Sequence, residues 1–414
     1  MTVVHTIARA LLSTGGTGAR NYDEFADDAE ITDIVAANPE SALAIEMPHR
    51  APASLGKSFT EALPDAVARL HRQRAAGSYL AAEDVIVLYR IDEPGQRRLR
   101  TAGSAAAHAS YGMFAMVDTD QISTSVDEPG RVIRNEDVFI EKVRERVALA
   151  EATDHLLSPV LLLQTSTGDE LHQALRAAVE SAGAPAVTDT DHSGRVHAIW
   201  PIPRSDPRAE ALTALASHGD LVVADGNHRS LAAQIGKLPR FLAVVTTPPS
   251  VSIAPYHRLV VGSPLPLAGL LERLSEAGAT VGEAAPGIPP TGTVVLYGQG
   301  RAYAVRLPEL RESGTSIVDG MDHAVVERVV LGDALGLEPG DKRITYVGGD
   351  YPPSWLVSEV DAGRADLAIL IAPVTVDDFV AVNLARQKMP RKSTWFTPKA
   401  RAGLVLADLS AERP

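Results

Sequence analysis

The chain has 414 residues, of which 45% are hydrophobic and 22% are charged, and its formal net charge is -13. This length predicts about two or three domains, and the acidic balance argues against broad binding to nucleic acid, which needs clustered Lys and Arg. The absence of cysteine excludes disulfides, thiolate catalysis and cysteine-based metal sites. No stretch approaches about 18 uninterrupted apolar residues, so we expect a cytoplasmic protein without a membrane partner.

The first segment, residues 1–168, alternates between helical and strand patterns. Helical spacing of apolar residues and one acidic run predict helices over 22–38, 59–76 and 135–157. Short apolar runs predict strands over 42–47, 85–91, 112–117 and 159–164.

The second segment, residues 169–250, continues this alternation. Helices are predicted over 171–182 and 208–217, and a third helix, which begins at Asn227 or His228, runs to 235. Strands are predicted over 195–202, 221–224 and 241–245. We expect Asp206 to cap the helix at 208–217, with Pro207 at its first position.

The third segment, residues 251–414, follows the proline-rich run TTPPS. The pattern predicts helices over 267–277, 322–335 and 377–386, a hairpin over 294–306, and strands over 344–347 and 367–371. The alternation along the whole chain indicates an α/β or α+β protein with mixed sheets.

The stretch VVADGNHRSLAAQ combines a strand end, a tight turn and a helix start. The strand delivers Asp225, Gly226 permits an unusual backbone angle, and the helix begins at Asn227 or His228. Unpaired N–H groups at a helix N-terminus attract anions, and the Arg229 guanidinium can bind phosphate or carboxylate. Asp225 is a candidate base or metal ligand, and His228 a candidate acid–base group or phosphate contact. The alternative is an Asp-Gly turn with a capped helix and a solvent-facing Arg.

The closing run MPRKSTWFTPKARAG is a second candidate site because it places cations and hydroxyls around aromatic residues. Its phosphate-binding candidates are Lys392, Ser393, Thr394 and Lys399, with Trp395 as a wall or stacking surface. The alternative is a basic loop whose aromatic residues pack on the core.

Several shorter motifs supply further candidates. Tyr22 and Asp23 in NYDEF are candidates for lining a cleft, although a helix N-terminus explains Asp23 equally well. Glu46 at a predicted strand end and Glu136 before the long helix are candidate catalytic carboxylates that, like Asp23, can face Asp225. His257 and Arg258, in PYHRLV, are candidate substrate contacts at the entry to a strand.

VVADGNHRSLAA resembles the Asp-Gly-x-x-Arg turn of the ParB/sulfiredoxin-like superfamily. The whole chain resembles the bacterial and archaeal family called domain of unknown function 1015, through YDEFADDAEI, VIRNEDVFIEKVRERV, LVVADGNHRSLAA, HRLVVG and KMPRKSTWFTPKARAGLVL in the expected order. That family usually has His at Asn227, an aromatic residue at Ser230 and a His near Asn135, so this chain departs from its pattern at these positions.

The resemblance implies a ParB/sulfiredoxin-like core at 169–250, embedded between the α/β segments 1–168 and 251–414. It also implies nucleotide-dependent phosphoryl transfer, with ATP or ADP and Mg²⁺, to a small hydroxylated metabolite; a kinase acting on free serine is the nearest analogy. The nucleotide phosphates would be held by the turn and the closing run, at Gly226, Asn227, Arg229, Ser230, Lys392, Ser393, Thr394 and Lys399. Asp225 would accept a proton or help to hold the metal.

Other function classes remain open at this point. One is a non-catalytic nucleotide-binding regulator like the CTP-binding relatives of that superfamily, and another is a different transferase that binds an anionic small substrate. A role on DNA is disfavoured by the acidic balance and by the lack of a basic recognition helix. A homodimer is one option for assembly.

Overall fold

A computed structural model describes residues 2–25, 27–94, 109–123, 130–136, 140–307 and 316–412. The chain forms two compact units. Unit 1 comprises Met1–Val251 and Pro398–Pro414, and unit 2 comprises Ser252–Thr397.

The strands are numbered in chain order. They are β1 Val4–His5, β2 Ile7–Ser13, β3 Tyr79–Asp92, β4 Ser110–Asp118, β5 Val132–Ile133, β6 His155–Leu156, β7 Val160–Gln164, β8 Val187–Thr190, β9 Val196–Pro203, β10 Leu221–Asp225, β11 Arg240–Thr246, β12 Ser252–Ala254, β13 Tyr256–Val260, β14 Thr280–Glu283, β15 Thr293–Gly298, β16 Arg301–Arg306, β17 Ile344–Gly348, β18 Leu367–Ile371, β19 Trp395–Thr397 and β20 Val405–Asp408.

The α-helices are numbered in the same way. They are α1 Asp28–Ala37, α2 Leu43–Glu46, α3 Leu63–Ala75, α4 Ile140–Thr153, α5 Gly168–Ser181, α6 Pro207–Ala216, α7 Asn227–Ile235, α8 Leu267–Glu276, α9 Asp322–Val325, α10 Pro353–Asp361 and α11 Val376–Leu384. A π-helical segment, Val326–Ala334, continues α9. None of the helices within the described ranges is long and apolar enough to cross a membrane.

Unit 1 is built on a mixed sheet of strand order β5-β10-β7-β11-β4-β3-β2-β20-β6, with β1 paired to β4, β9 to β3 and β8 to β9. β10 runs parallel to β5 and antiparallel to β7, whereas β11 runs parallel to β7. Apolar residues of α5 and α6 share a core cluster with the sheet, among them Leu171, Leu175 and Leu212. The predicted α/β class with mixed sheets is therefore confirmed.

Unit 2 has its own sheet and core. Its strand order is β14-β16-β15-β18-β13-β17, all antiparallel, and β12 pairs with β19. α8, α9 and the π-helical segment supply apolar residues to the core, including Leu270, Val325 and Val330.

The compact units divide the chain differently from the three sequence segments. The boundary at 168/169 lies inside unit 1, because β7 from the first segment lies between β10 and β11 from the second. The boundary at 250/251 lies next to the end of the first stretch of unit 1, and residues 398–414 return to that unit.

Most predicted elements are found, but one has the wrong type. The strand predicted over 42–47 is the short helix α2, so this prediction was wrong. Leu43, Ala44, Ile45 and Glu46 are all buried, and a continuous apolar run does not distinguish a buried strand from a buried helical turn.

Helix boundaries also shift. The helix predicted over 22–38 begins at Asp28, capped by Asp27, which leaves residues 22–25 in a turn. The helix predicted over 135–157 is found as α4, Ile140–Thr153, and residues 137–139 of that prediction lie outside the described residues. Its predicted C-terminal end was wrong, because His155–Leu156 form β6. The cap at Asp206 is confirmed, since its side chain accepts a hydrogen bond from the Arg208 N–H.

Candidate active site

The strand–turn–helix junction around Gly226 organises the site. The register between β10 and β7 shifts between Val223 and Asp225, and such irregularities re-aim a side chain. Gly226 has φ +96, and a Cβ there would lie 3.0 Å from Arg229 Nε and 3.2 Å from Val160 Cα. The predicted unusual backbone angle at Gly226 is therefore confirmed, and the surrounding atoms leave little room for a side chain there.

Asp225 links this turn to the closing run of the chain. Its Oδ1 lies 2.8 Å from Lys399 Nζ and its Oδ2 lies 2.5 Å from Arg229 Nη2. Burial alone would lower the pKa of Lys399, but the negative charges of Asp225, Glu24 and Asp23 outweigh burial and raise that pKa above its usual value. Both cations are consequently held in the charged form.

Arg229 is buried, with 8% of its surface exposed, which excludes the alternative of a solvent-facing Arg. Its Nη1 donates to Asn21 Oδ1 at 3.0 Å and also to the carbonyl of Pro159. Burial alone would lower the pKa of Arg229, but the carboxylate of Asp225 and other negative groups raise it above its usual value. Arg229 thus joins α7 to the turn at residues 21–25 and to the start of β7.

The NYDEF turn contributes a buried polar group that the sequence analysis did not single out. Asn21 Nδ2 donates to Glu24 Oε1 at 2.6 Å and to the carbonyl of Ala400 at 3.2 Å. Burial raises the pKa of Glu24, with the Lys399 charge opposing the rise. Burial likewise raises the pKa of Tyr22.

Glu46 ends α2 and is 2% exposed. Its Oε1 accepts a hydrogen bond from the Ser158 hydroxyl, while its Oε2 has no hydrogen-bond partner among the described residues. Burial raises its pKa, against the opposing effects of Arg146, of the Ser158 hydrogen bond and of Arg229. A buried carboxyl with a raised pKa and an available oxygen is a candidate for proton transfer.

Arg146 lies beside Glu46 in the interior. Its Nη2 donates to the Glu46 carbonyl at 2.9 Å, and its guanidinium carbon lies 4.0 Å from the Tyr22 ring centroid and 5.0 Å from that of Phe59. The aromatic faces stabilise this buried cation. Arg146 therefore brings Tyr22 and Glu46 into one polar cluster.

Asn227 joins the turn to the segment after β5. Asn227 Nδ2 donates to Asn135 Oδ1 at 2.5 Å, and Asn227 Oδ1 accepts from the Asn135 N–H at 3.3 Å. Glu136, the next residue in the chain, is half-buried, and His228 is 5% exposed. The Ser230 hydroxyl donates to the Asn227 carbonyl at 3.0 Å and is thus used within α7.

His257 and Arg258, predicted as substrate contacts, lie in unit 2, where both make buried structural contacts. Arg258 is fully buried; its Nε lies 3.0 Å from Glu327 Oε1, and its Nη atoms donate to backbone carbonyls, including those of Lys392 and Arg391. His257 Nδ1 accepts from the Ile371 N–H at 3.1 Å, and burial with the nearby Arg258 charge lowers the pKa of His257 to about 4.

Most of the closing-run candidates are also part of unit 2. Trp395 Nε1 donates to Asp350 Oδ1 at 3.2 Å, and the Trp395 ring packs edge-on against Tyr256. Ser393 is buried, whereas Lys392 and Thr394 are half-buried. Of the predicted closing-run residues, Lys399 is the one that joins the polar cluster in unit 1.

The described side chains around Asp225 do not form a magnesium site. Mg²⁺ requires oxygen ligands in near-octahedral geometry, yet both carboxylate oxygens of Asp225 are engaged by cations. Over the described parts of the chain, no group of three or more His, Asp or Glu side chains is arranged to hold a metal. The metal-ligand role expected of Asp225 does not fit this arrangement.

Sequence reasoning missed Asn21, Glu24, Arg146 and Ser158. A signal for Arg146 was present, because it follows Val143 and precedes Leu149 at the helical spacing of the buried face of α4. A charged residue on such a face points to a buried partner. Ser158 carried no comparable signal, because its role depends on a contact with Glu46 far away in the sequence.

Comparisons with known proteins place the chain in context. A family model described as Protein of unknown function (DUF1015) matches residues 17–324. No curated protein matches the chain.

The chain is also similar to several solved structures, all at low identity. One is a free serine kinase in complex with AMP, with 11% identity, coverage of 72% of this chain and 93% of that chain, and a TM-score of 0.39. A second is a conserved hypothetical protein from Pyrococcus furiosus, with 12% identity, 70% and 95% coverage, and a TM-score of 0.36. A third is SbnI with a C-terminal truncation from Staphylococcus aureus, with 14% identity, 72% and 89% coverage, and a TM-score of 0.41. These likenesses are too distant to indicate a substrate.

Proposed function

The chain belongs to the family described as Protein of unknown function (DUF1015), and from the geometry of its site we propose that it is a nucleotide-dependent phosphotransferase. The donor is ATP or ADP, and the acceptor is the hydroxyl of a small metabolite, with free serine as the first acceptor to test. The observation that carries the proposal is the buried cluster in which Glu46 lies among the cations Arg146 and Arg229, close to the N-terminus of α7.

Glu46 is assigned as the base. Its raised pKa and its available Oε2 suit it to accept the hydroxyl proton of the acceptor. The acceptor oxygen then forms a bond to the terminal phosphorus of the nucleotide. The bridging P–O bond breaks, and its electron pair leaves with the shortened nucleotide.

Arg229, Lys399 and the first turn of α7 are assigned to the nucleotide phosphates. Phosphoryl transfer depends mainly on positioning and on neutralising charge, and a helix N-terminus with adjacent cations provides both. Asp225 is assigned a positioning role, because its oxygens hold Lys399 and Arg229 at fixed distances. Mg²⁺ belongs in the assay as the counterion of the nucleotide, and no side chain is assigned to bind it.

The test is product formation by the purified chain. We expect ATP or ADP, Mg²⁺ and a panel of hydroxylated metabolites to give a phosphorylated product by mass spectrometry. Glu46→Gln should lower kcat by about 10²–10⁴-fold, whereas the exposed Glu210→Gln on α6 should retain the wild-type rate. An E46Q variant with full activity would refute the assignment of Glu46 as the base. If no member of the panel caused nucleotide consumption, the proposed phosphotransferase activity would be refuted.

A nucleotide-binding regulator is the second candidate. Both Asp225 oxygens are paired with cations, which favours this function. A nucleotide phosphate that binds Lys399 and Arg229 would replace their contacts with Asp225, and no reaction need follow. Calorimetric binding of ATP, ADP or CTP without turnover across the acceptor panel would select this function over the kinase.

A further inference from the structure

A pocket in unit 1 adjoins the proposed base, Glu46. Its space measures about 620 Å³, part of it open to solvent, and α4, β7, α7 and β11 contribute to its walls. Because this figure includes open solvent, the enclosed space is smaller. The chemistry of the walls therefore indicates the kind of ligand better than the volume does.

The walls of this pocket are mainly apolar. Residues that form them include Val147, Leu149, Leu157, Leu238, Phe241 and Leu242. Such a surface favours the hydrocarbon part of a ligand, because burying apolar area removes it from water. Free serine has almost no hydrocarbon surface to place there.

One part of the lining is polar and incompletely hydrogen-bonded. Glu46, Arg146, Ser158 and Arg229 all line the pocket. Glu46 Oε2, Arg146 Nε and Nη1, and Arg229 Nε have no hydrogen-bond partner within the described parts of the chain. Each residue that carries these atoms is more than nine-tenths buried. Unpaired buried polar atoms are rare and costly, so a water molecule or a polar group of a ligand is expected to pair with these atoms.

A hydroxyl group satisfies both kinds of unpaired atom. Its hydrogen can be donated to a carboxylate oxygen, and its lone pairs can accept from guanidinium N–H groups. Glu46 and Arg229 are also the residues assigned to the proton and the phosphates, so a hydroxyl bound here lies at the proposed reaction centre.

We propose that the acceptor of this site is an amphipathic alcohol, whose hydrocarbon body fills the pocket between α4, α7 and β11 and whose hydroxyl meets Glu46. This inference rests on the proposed phosphotransfer and names the class of its acceptor. It favours a hydroxylated compound with an apolar body over a free hydroxy amino acid.

The test measures binding of 1-butanol, 1-hexanol and 1-octanol to the full chain by ligand-observed NMR, without nucleotide. Affinity should rise about fourfold for each CH₂ group, which corresponds to about 0.8 kcal/mol. The methyl ether of 1-hexanol should bind about tenfold more weakly than 1-hexanol, because it has no hydrogen to donate to Glu46. Affinities that do not change with the number of carbon atoms in the alcohol, or an ether that binds as tightly as the alcohol, would overturn the proposal.

Two variants locate the binding. Leu238→Trp, at a half-buried lining position, should abolish the dependence of affinity on the number of carbon atoms in the alcohol. The exposed Ile235→Trp at the end of α7 should retain that dependence. An L238W variant that binds 1-octanol like the wild type would overturn the pocket as the site.

Activity measurements separate this inference from the proposed function. Phosphorylated 1-octanol in the presence of ATP or ADP would support both. Phosphorylated serine at a rate that L238W leaves unchanged would overturn the acceptor class and leave the phosphotransferase standing. Alkanol binding without transfer to any acceptor would overturn the phosphotransferase and leave the pocket as a binding site.

Discussion

Lys399 Nζ lies 2.8 Å from Asp225 Oδ1, although 174 positions separate the two residues in the sequence. The contact joins the two motifs that the sequence analysis considered separately, the DGNHR turn and the closing run. Both side chains are about 15% exposed or less, so the pair is largely shielded from solvent. The closing run returns to unit 1 at this point, and its lysine completes the cluster around Asp225.

Removing the Asp225 charge should destabilise unit 1. Asp225→Asn leaves Lys399 and Arg229 buried without their counterion, and breaking such a pair costs about 3–5 kcal/mol. Urea unfolding followed by circular dichroism measures this loss, with the exposed Asp33→Asn on α1 as control. Adding Lys399→Met to D225N should recover part of the stability, because one uncompensated cation is removed. A double variant less stable than D225N would contradict the pairing.

The glycine at the turn can be tested against a second glycine with a positive φ. Gly226 and Gly183 both have positive φ, but a Cβ at Gly183 meets no atom within 4 Å, whereas at Gly226 it meets Arg229 and Val160. Gly183→Ala should therefore cost about 1 kcal/mol from conformation alone. Gly226→Ala should cost more, about 2–4 kcal/mol, because steric contact adds to this strain. Equal shifts of the unfolding midpoint would show that the space around Gly226 is unimportant.

Local features of unit 1 could be predicted from sequence because their causes are local. The junction at Gly226 follows from an apolar run, a glycine and a helical pattern, and the cap at Asp206 follows from residue type and position. The position of Glu46 could not be predicted in the same way. Its apolar neighbours do not distinguish helix from strand, and its burial against Ser158 depends on a contact that only the folded chain brings about.

The polar cluster itself depends on contacts between distant segments. Arg229 meets Asn21, and Lys399 meets Asp225, across separations that no spacing rule covers. Residue chemistry identified the Asp225 turn and Lys399 as candidates, but it also identified Arg258, and Arg258 is used inside unit 2. Charge and motif therefore selected a set of candidates, and the contacts in the folded chain place Arg258 within unit 2 and Lys399 beside Asp225 in unit 1.

The raised pKa of Glu46 should appear in the pH dependence of stability. Burial favours the protonated carboxyl, so its contribution to folding is fully present below the ordinary value of 4.5 and is lost as pH rises through the raised pKa of the folded state. The unfolding free energy of E46Q should therefore increase relative to wild type as pH rises above 4.5. The exposed Glu61, whose pKa is lowered by hydrogen bonds from Ser58, should show the opposite sign in E61Q, in a range below 4.5. A pH-independent difference for E46Q would contradict a raised pKa.

The Asn135–Asn227 contact should couple the start of α7 to the segment after β5. Both side chains are buried, and each amide uses the other residue as its hydrogen-bond partner. Asn135→Ala and Asn227→Ala should each cost about 1–3 kcal/mol, because each leaves a buried amide group without its partner. The double variant should cost less than the sum of the two, with a coupling of about 1 kcal/mol in a double-mutant cycle from urea unfolding. Additive effects would show that the two amides do not stabilise each other. The Asn135–Asn227 hydrogen bonds would then not contribute to the stability of the turn before α7.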